Sequence, residues 1–141
     1  RRMRENGGVV MVTFVPSFLN DDVMRWSNLP PEQRRATPEP RATMADAIRH
    51  IEHIRDVAGI DHVGIGGDYD GISSVVVGLE DVSTYPALFA ELSRRGWSEA
   101  DLRKLAGENA LRAWREAERV AARLQRERNP STATIEKLDR R

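Results

Sequence analysis

Two carboxylates separated by one residue, Asp68 and Asp70, close an apolar run in the stretch HVGIGGDYDG, residues 62–71. In parallel α/β folds, sites gather at the carboxyl ends of strands, where loops converge. An ionised Asp at such an end can take a proton from water or hold a substrate ammonium group. Gly66 and Gly67, just before it, would let a substrate or a neighbouring strand come close to the backbone. The same letters also describe a tight acidic turn, with Asp68 capping it, Asp70 within it and Gly71 at positive φ. The residue types alone leave both readings open.

Other chemistries for this stretch are harder to sustain. A calcium loop needs three alternating carboxylates before its glycine and a Glu at position 12. A phosphate-cradling loop needs Lys-Ser/Thr after its glycines. A phosphatase in the manner of the haloacid dehalogenase-like enzymes would use Asp68 as nucleophile and Asp70 as acid/base. That family usually has Thr after the glycine, where this chain has Ile72. The three histidines offer little more. His50 and His53 sit three apart on one helix face, a spacing that can bind zinc. No further ligand is placed to complete that site, so packing or surface hydrogen bonding is expected. His62 starts the strand that Asp68 ends, about 20 Å away at 3.3 Å per residue. Phe18, just past the end of an earlier strand, could wall a pocket beside Asp68 or pack as core; Trp97 and Trp114 read as core.

The elements that must position these residues can be read from the pattern. RRMRENGG reads as a last helical turn stopped by glycines. Residues 9–16, VVMVTFVP, form a continuous β-branched run closed by Pro16, as expected of a strand buried on both faces. Residues 17–42 carry Pro30, Pro31, Pro38 and Pro40, which predicts an irregular crossover with one short helix near 21–26. Thr43 then caps a helix with Ala47, Ile48, Ile51, Ile54, Val57 and Ala58 on one face and Gly59 as its stop. After the second strand, residues 72–82 read as a loop. STYPALFAELSRRG is a helix ending at Gly96, and Ser98 and Asp101 open a further helical stretch, unbroken or interrupted near Gly107. The order is β-α-β with C-terminal helices, an α/β class with a parallel sheet. Two strands alone are too few for a sheet covered on both faces, so the unit is expected to belong to a larger fold.

Composition narrows the function classes. The 141 residues hold 22 basic and 22 acidic side chains and no cysteine. Balanced charge gives no electrostatic case for nucleic acid, and thiol chemistry is excluded. There is no run of 18 apolar residues, no visible signal peptide, and no hydrophobic tail of the kind a lipid anchor needs. The compartment stays open, with the cytoplasm slightly favoured.

HIEHIRDVAGIDHVGIGGDYDGI, then GLEDVSTYPALFAELSRRGWSEADLRKLAGENALRAW, and GGVVMVTFVPSFL before them, resemble the C-terminal part of the membrane (renal-type) dipeptidases over about residues 1–118. The resemblance implies a (β/α)8 TIM-type barrel of which this chain holds the last two strands and the terminal helices. It implies hydrolysis of dipeptides with two zinc ions, often with a D-residue at the C-terminal position, and a possible homodimer. Asp68 then matches the acid ending the eighth strand, which contacts the metal-bridging water and the substrate amino group. Phe18 falls where that family has a pocket-wall aromatic, usually Tyr. The family's zinc ligands, a His-x-Asp pair, a bridging Glu and two histidines, all precede the seventh strand and have no counterpart here. The chain is therefore expected to be a C-terminal fragment, with residues 1–128 belonging to the barrel and 129–141 a loosely attached tail. Alone it would bind no catalytic zinc. A catalytically silent product that only associates is the non-enzymatic alternative.

Overall fold

The structure, a computed structural model, describes residues 2–139. Helix α1 (Arg2–Asn6) stops at Gly7, whose φ of +73° suits the left-handed position that ends a helix. Strand β1 (Val10–Thr13) pairs in parallel with β2 (Val63–Gly67). Between them run α2 (Pro16–Leu19), α3 (Asp21–Ser27), α4 (Pro31–Ala36) and α5 (Met44–Ala58). The β-α-β order and the parallel pairing are as expected. The irregular crossover is not. Pro16 and Pro31 each sit in the first turn of a helix, where no N–H is needed and a fixed φ helps. They start α2 and α4 rather than break structure, so β1 ends at Thr13.

The expectation that β1 is buried on both faces is also corrected. Val12 and Phe14 are buried, but Val10 and Met11 are exposed. Among the described elements α5 packs against both strands, and the Lys104–Glu108 segment packs against β2. The Met11 side chain lies across Gly64, where a Cβ would come within 2.6 Å of its sulfur.

Helix α5 carries the core. Ala47, Ile48, Ile51 and Ala58 are buried as the helical spacing requires. Val57, expected on the same face, is exposed. It lies nine residues from Ile48, about 180° around the helix at 100° per residue. The helix starts at Thr43, and Asp46 completes the cap: its buried carboxylate accepts from the Thr43 N–H at 2.7 Å and the Thr43 hydroxyl at 2.9 Å. Asp46 also pairs with Arg49 and accepts from Asn20 Nδ2 at 3.3 Å. The Asn20 oxygen in turn caps α3 through the N–H groups of Asp22 and Val23.

Burial pushes the Asp46 pKa up. The Thr43 hydrogen bonds, the Arg49 charge and the Asn20 amide outweigh it and hold it below the usual carboxylate value. A depressed folded pKa contributes stability above the unfolded value and loses it as pH falls through the folded one. Asp46→Ala is expected to cost about 1–2 kcal/mol at neutral pH. In urea melts run from pH 7 to pH 3, the gap between wild type and variant should shrink below about pH 4. A constant gap would contradict this account.

Residues 72–81 do more than connect. Val77 exchanges backbone bonds with the start of α5, donating to Ala42 O and accepting from Met44 N, and this seats Val76 and Leu79 fully in the core. Helix α6 (Tyr85–Arg94) leads to Gly96 and to Trp97, buried beneath the Arg55 guanidinium at 4.4 Å. Helix α7 (Glu99–Arg103) begins with the Ser98 hydroxyl accepting from Asp101 N. A π-helical segment, Lys104–Glu108, interrupts the stretch at Gly107 before α8 (Asn109–Glu127). Trp114, expected in the core, is exposed, and its Nε1 donates to Glu118 on the same helix. Beyond its first turn α8 projects past the core, so its rings meet solvent. A short α9 (Ile135–Leu138) comes last, with both apolar residues exposed.

The amino end of the sheet is tied by polar groups. Asn109 is buried and uses both Nδ2 hydrogens, on Ile60 O at 2.6 Å and Val63 O at 2.8 Å. Arg112 donates to Gly7 O and Asp61 O, and His62 Nδ1 meets Gly8 O at 2.8 Å, which requires the proton on Nδ1.

Candidate active site

β2 ends in an arrangement that only its glycines permit. Val12 pairs with Ile65 and Thr13 with Gly67, so Gly66 is an extra residue in the ladder. Such a bulge bends the strand and re-aims the side chains beyond it. Gly67 turns left-handed at φ +66°, with its carbonyl held by the Phe14 N–H at 2.8 Å. A Cβ at Gly67 would lie 3.0 Å from the Tyr85 hydroxyl.

Asp68 comes next, at φ +78°, ψ +26°. It is the one non-glycine residue at positive φ among the described residues. The left-handed region costs an L-residue about 1–2 kcal/mol, least for Asp and Asn, and is kept only where the surroundings enforce it. The Asp68 side chain is exposed, and among the described residues its carboxylate accepts no hydrogen bond. It caps nothing, contrary to the turn reading. Gly71, in the 3-10 turn Tyr69–Gly71, does not supply the positive φ either; Asp68 supplies it. A Cβ at Gly71 would fall 2.6 Å from Asp68 Oδ1, so a side chain there would have to displace the exposed carboxylate. The result is a carboxylate without a hydrogen-bond partner among the described residues, presented at the carboxyl end of a strand.

Three rings pack beside it. Phe14 is fully buried and meets Tyr69 and Tyr85 edge-on, with centroids 6.1 and 6.0 Å away; the two tyrosines are 6.3 Å apart. Burial, reinforced by Tyr85, pushes the Tyr69 phenol up to about 12, and burial raises Tyr85 as well. Both phenols are therefore neutral at physiological pH, which removes them as proton acceptors.

Phe18 lies on α2, which leaves the same end of the sheet, and its side chain is 69% exposed. Between the segments leaving the two strands lies a cleft of about 560 Å³, lined by Val15 and Ser17 on one side, Gly71 and Ser73 on the other, with Trp26 and Arg34. Neither Asp68 nor Phe18 lines that cleft. Asp70 is exposed within the 3-10 turn. His50 meets Leu19 O at 3.2 Å, the hydrogen-bonding role expected of it. Among the described residues no three His, Asp or Glu side chains are grouped to hold a metal ion. The residues present therefore do not fit a zinc centre. The bulge, the left-handed Asp68 and the tyrosine pair were not foreseen from the sequence. The glycine doublet before Asp68 and the Tyr-Pro dipeptide opening α6 are the signals that could have pointed to them.

The parallel β-α-β unit with a carboxylate at its strand end matches part of the TIM-barrel-type fold of solved family M19 structures. Over residues 1–128 the chain matches the membrane dipeptidase family (peptidase family M19), and it belongs to that family. It is 43% identical over 119 residues to an uncharacterized dipeptidase of Schizosaccharomyces pombe, covering 83% of this chain and 25% of that protein. The solved structure of the dipeptidase AC, a metallopeptidase of family M19, matches with a TM-score of 0.59 and 34% identity, over 76% of this chain and 28% of that one. A Rhodobacter sphaeroides metallopeptidase, solved with a phosphinate mimic of the dipeptide L-Ala-D-Ala, matches with a TM-score of 0.57 and 36% identity, over 76% and 26%. The chain spans about a quarter of the length of the curated relatives it matches. Membership of a dipeptidase family sets aside the phosphatase reading of Asp68 and Asp70. No helix among the described residues is long and apolar enough to cross a membrane.

Proposed function

We propose that this chain is the C-terminal portion of a metal-dependent dipeptidase and that Asp68 is its contribution to the chemistry. The observation that carries this is the Asp68 carboxylate, held in a left-handed backbone at a strand end with no hydrogen-bond partner among the described residues. In the complete enzyme the metal, zinc by the family resemblance, is held by residues this chain does not carry. Asp68 then acts on the substrate itself. Its Oδ atoms receive the ammonium group of a dipeptide, take a proton from the attacking water and pass it to the leaving amine. Phe18 forms an apolar wall of the pocket. A dipeptide with a D-residue at its C-terminal position is a suitable substrate, supported by the Rhodobacter relative's ligand. Residues 1–128 form the barrel portion and 129–141 an appended tail, and the complete enzyme is proposed to pair as a homodimer in the cytoplasm. The test is dipeptide hydrolysis by the complete enzyme, before and after chelation, beside Asp68 variants. Hydrolysis that survives chelation counts against the reading.

A further inference from the structure

Something must hold Asp68 in a conformation that its own side chain does nothing to secure. Its two chain neighbours are both anchored in one aromatic cluster. On one side, the Gly67 carbonyl is fixed by the Phe14 N–H, and the Tyr85 hydroxyl lies so close to Gly67 that a Cβ there would meet it at 3.0 Å. On the other side, Tyr69 packs its ring against both Phe14 and Tyr85, which also touch each other. The Gly71 N–H then closes the turn onto Asp68 O at 3.1 Å.

We infer that Tyr69 and Tyr85, seated on the buried Phe14, are positioning residues that clamp both neighbours of Asp68 and so aim its carboxylate into the substrate site. The clamp works through ring packing. Among the described residues the buried Tyr69 hydroxyl makes no hydrogen bond of good geometry, although the Tyr85 and Thr84 hydroxyls lie near it, so phenylalanine is expected to serve at that position. At Tyr85 the hydroxyl is the atom against Gly67, so phenylalanine there loosens the Gly67 side of the clamp. The inference rests on the proposed role of Asp68, and its test separates the two.

In the complete enzyme, kcat and KM are measured for Tyr69→Ala, Tyr69→Phe and Tyr85→Phe, in the wild-type background and with Asp68→Asn. Misplacing a reacting group by about 1 Å can cost about 100-fold. Tyr69→Ala is expected to lower kcat by about 10–100-fold, Tyr85→Phe by less, and Tyr69→Phe by under about threefold. With Asp68→Asn already present, Tyr69→Ala should lower kcat no further, because the group it aims is gone. An equal loss in both backgrounds overturns the clamp, and so does a Tyr69→Phe as damaging as the alanine. If Tyr69→Ala does not fold, Tyr69→Leu, which fills the volume without a ring, takes its place in the cycle. An Asp68→Asn enzyme with wild-type turnover removes the role of Asp68 itself, and the clamp with it.

Discussion

Asp68→Asn in the complete enzyme is expected to lower turnover by about 10²–10⁴-fold, the usual contribution of a positioned acid–base group. Metal content should be unchanged. The amide is the informative replacement because Asn, like Asp, tolerates the left-handed backbone at φ +78°. It keeps the shape and removes the charge. Asp68→Ala should show the same kinetic loss with an added stability cost of about 1 kcal/mol, since alanine is less at ease in that region. Little else is lost in either variant, because the carboxylate accepts no hydrogen bond from the described residues and is exposed. A urea melt of each variant separates a change in folding from a change in chemistry. Steady-state kinetics with a dipeptide, read beside metal analysis of the same preparations, decides the matter. Turnover within about threefold of wild type, or a parallel loss of metal, would sink the assignment.

The contrast between the features the letters foretold and those they hid comes from the range of the interactions. Elements built on local rules were legible. The α5 stripe, its Thr43 start and the parallel pairing of β1 with β2 all rest on periodicity, capping or chain order. Prolines misled because the same residue ends a strand or starts a helix, and only the packing of the next few residues decides. Pro16 and Pro31 each start one. Trp114 misled because helical spacing says which residues share a face, not how far the core extends beneath it.

The site was legible as a residue and hidden as a conformation. Asp68 at a strand end could be read from HVGIGGDYDG. Its left-handed backbone could not, because it depends on a one-residue slip of Gly66 against Thr13 and on a tyrosine 16 positions later in the chain than Tyr69.

The opposite end of the sheet makes the complementary case, where the expected loss is in stability alone. Asn109→Leu is expected to destabilise the protein by about 2–4 kcal/mol. It removes this donor from two carbonyls, the part-buried Ile60 O and the buried Val63 O, at about 1–3 kcal/mol for a buried group stranded. The leucine has nearly the branched shape of the amide, so the loss is not that of a cavity. Asn109→Asp should be worse at neutral pH, because it turns a carboxylate towards two carbonyl oxygens. Protonation restores one donor, so the folded-state pKa of that new acid is raised and the damage eases as pH falls through it. The wild-type protein shows no such relief. Urea melts at pH 5 and pH 8 measure both effects. Because Asn109 secures the start of β2 while Asp68 leaves its end, kcat of the folded Asn109→Leu enzyme should stay near wild type. A variant that melts normally but turns over slowly would mean that the two ends of β2 are coupled, and that Asn109 acts on the site through the strand rather than on stability alone.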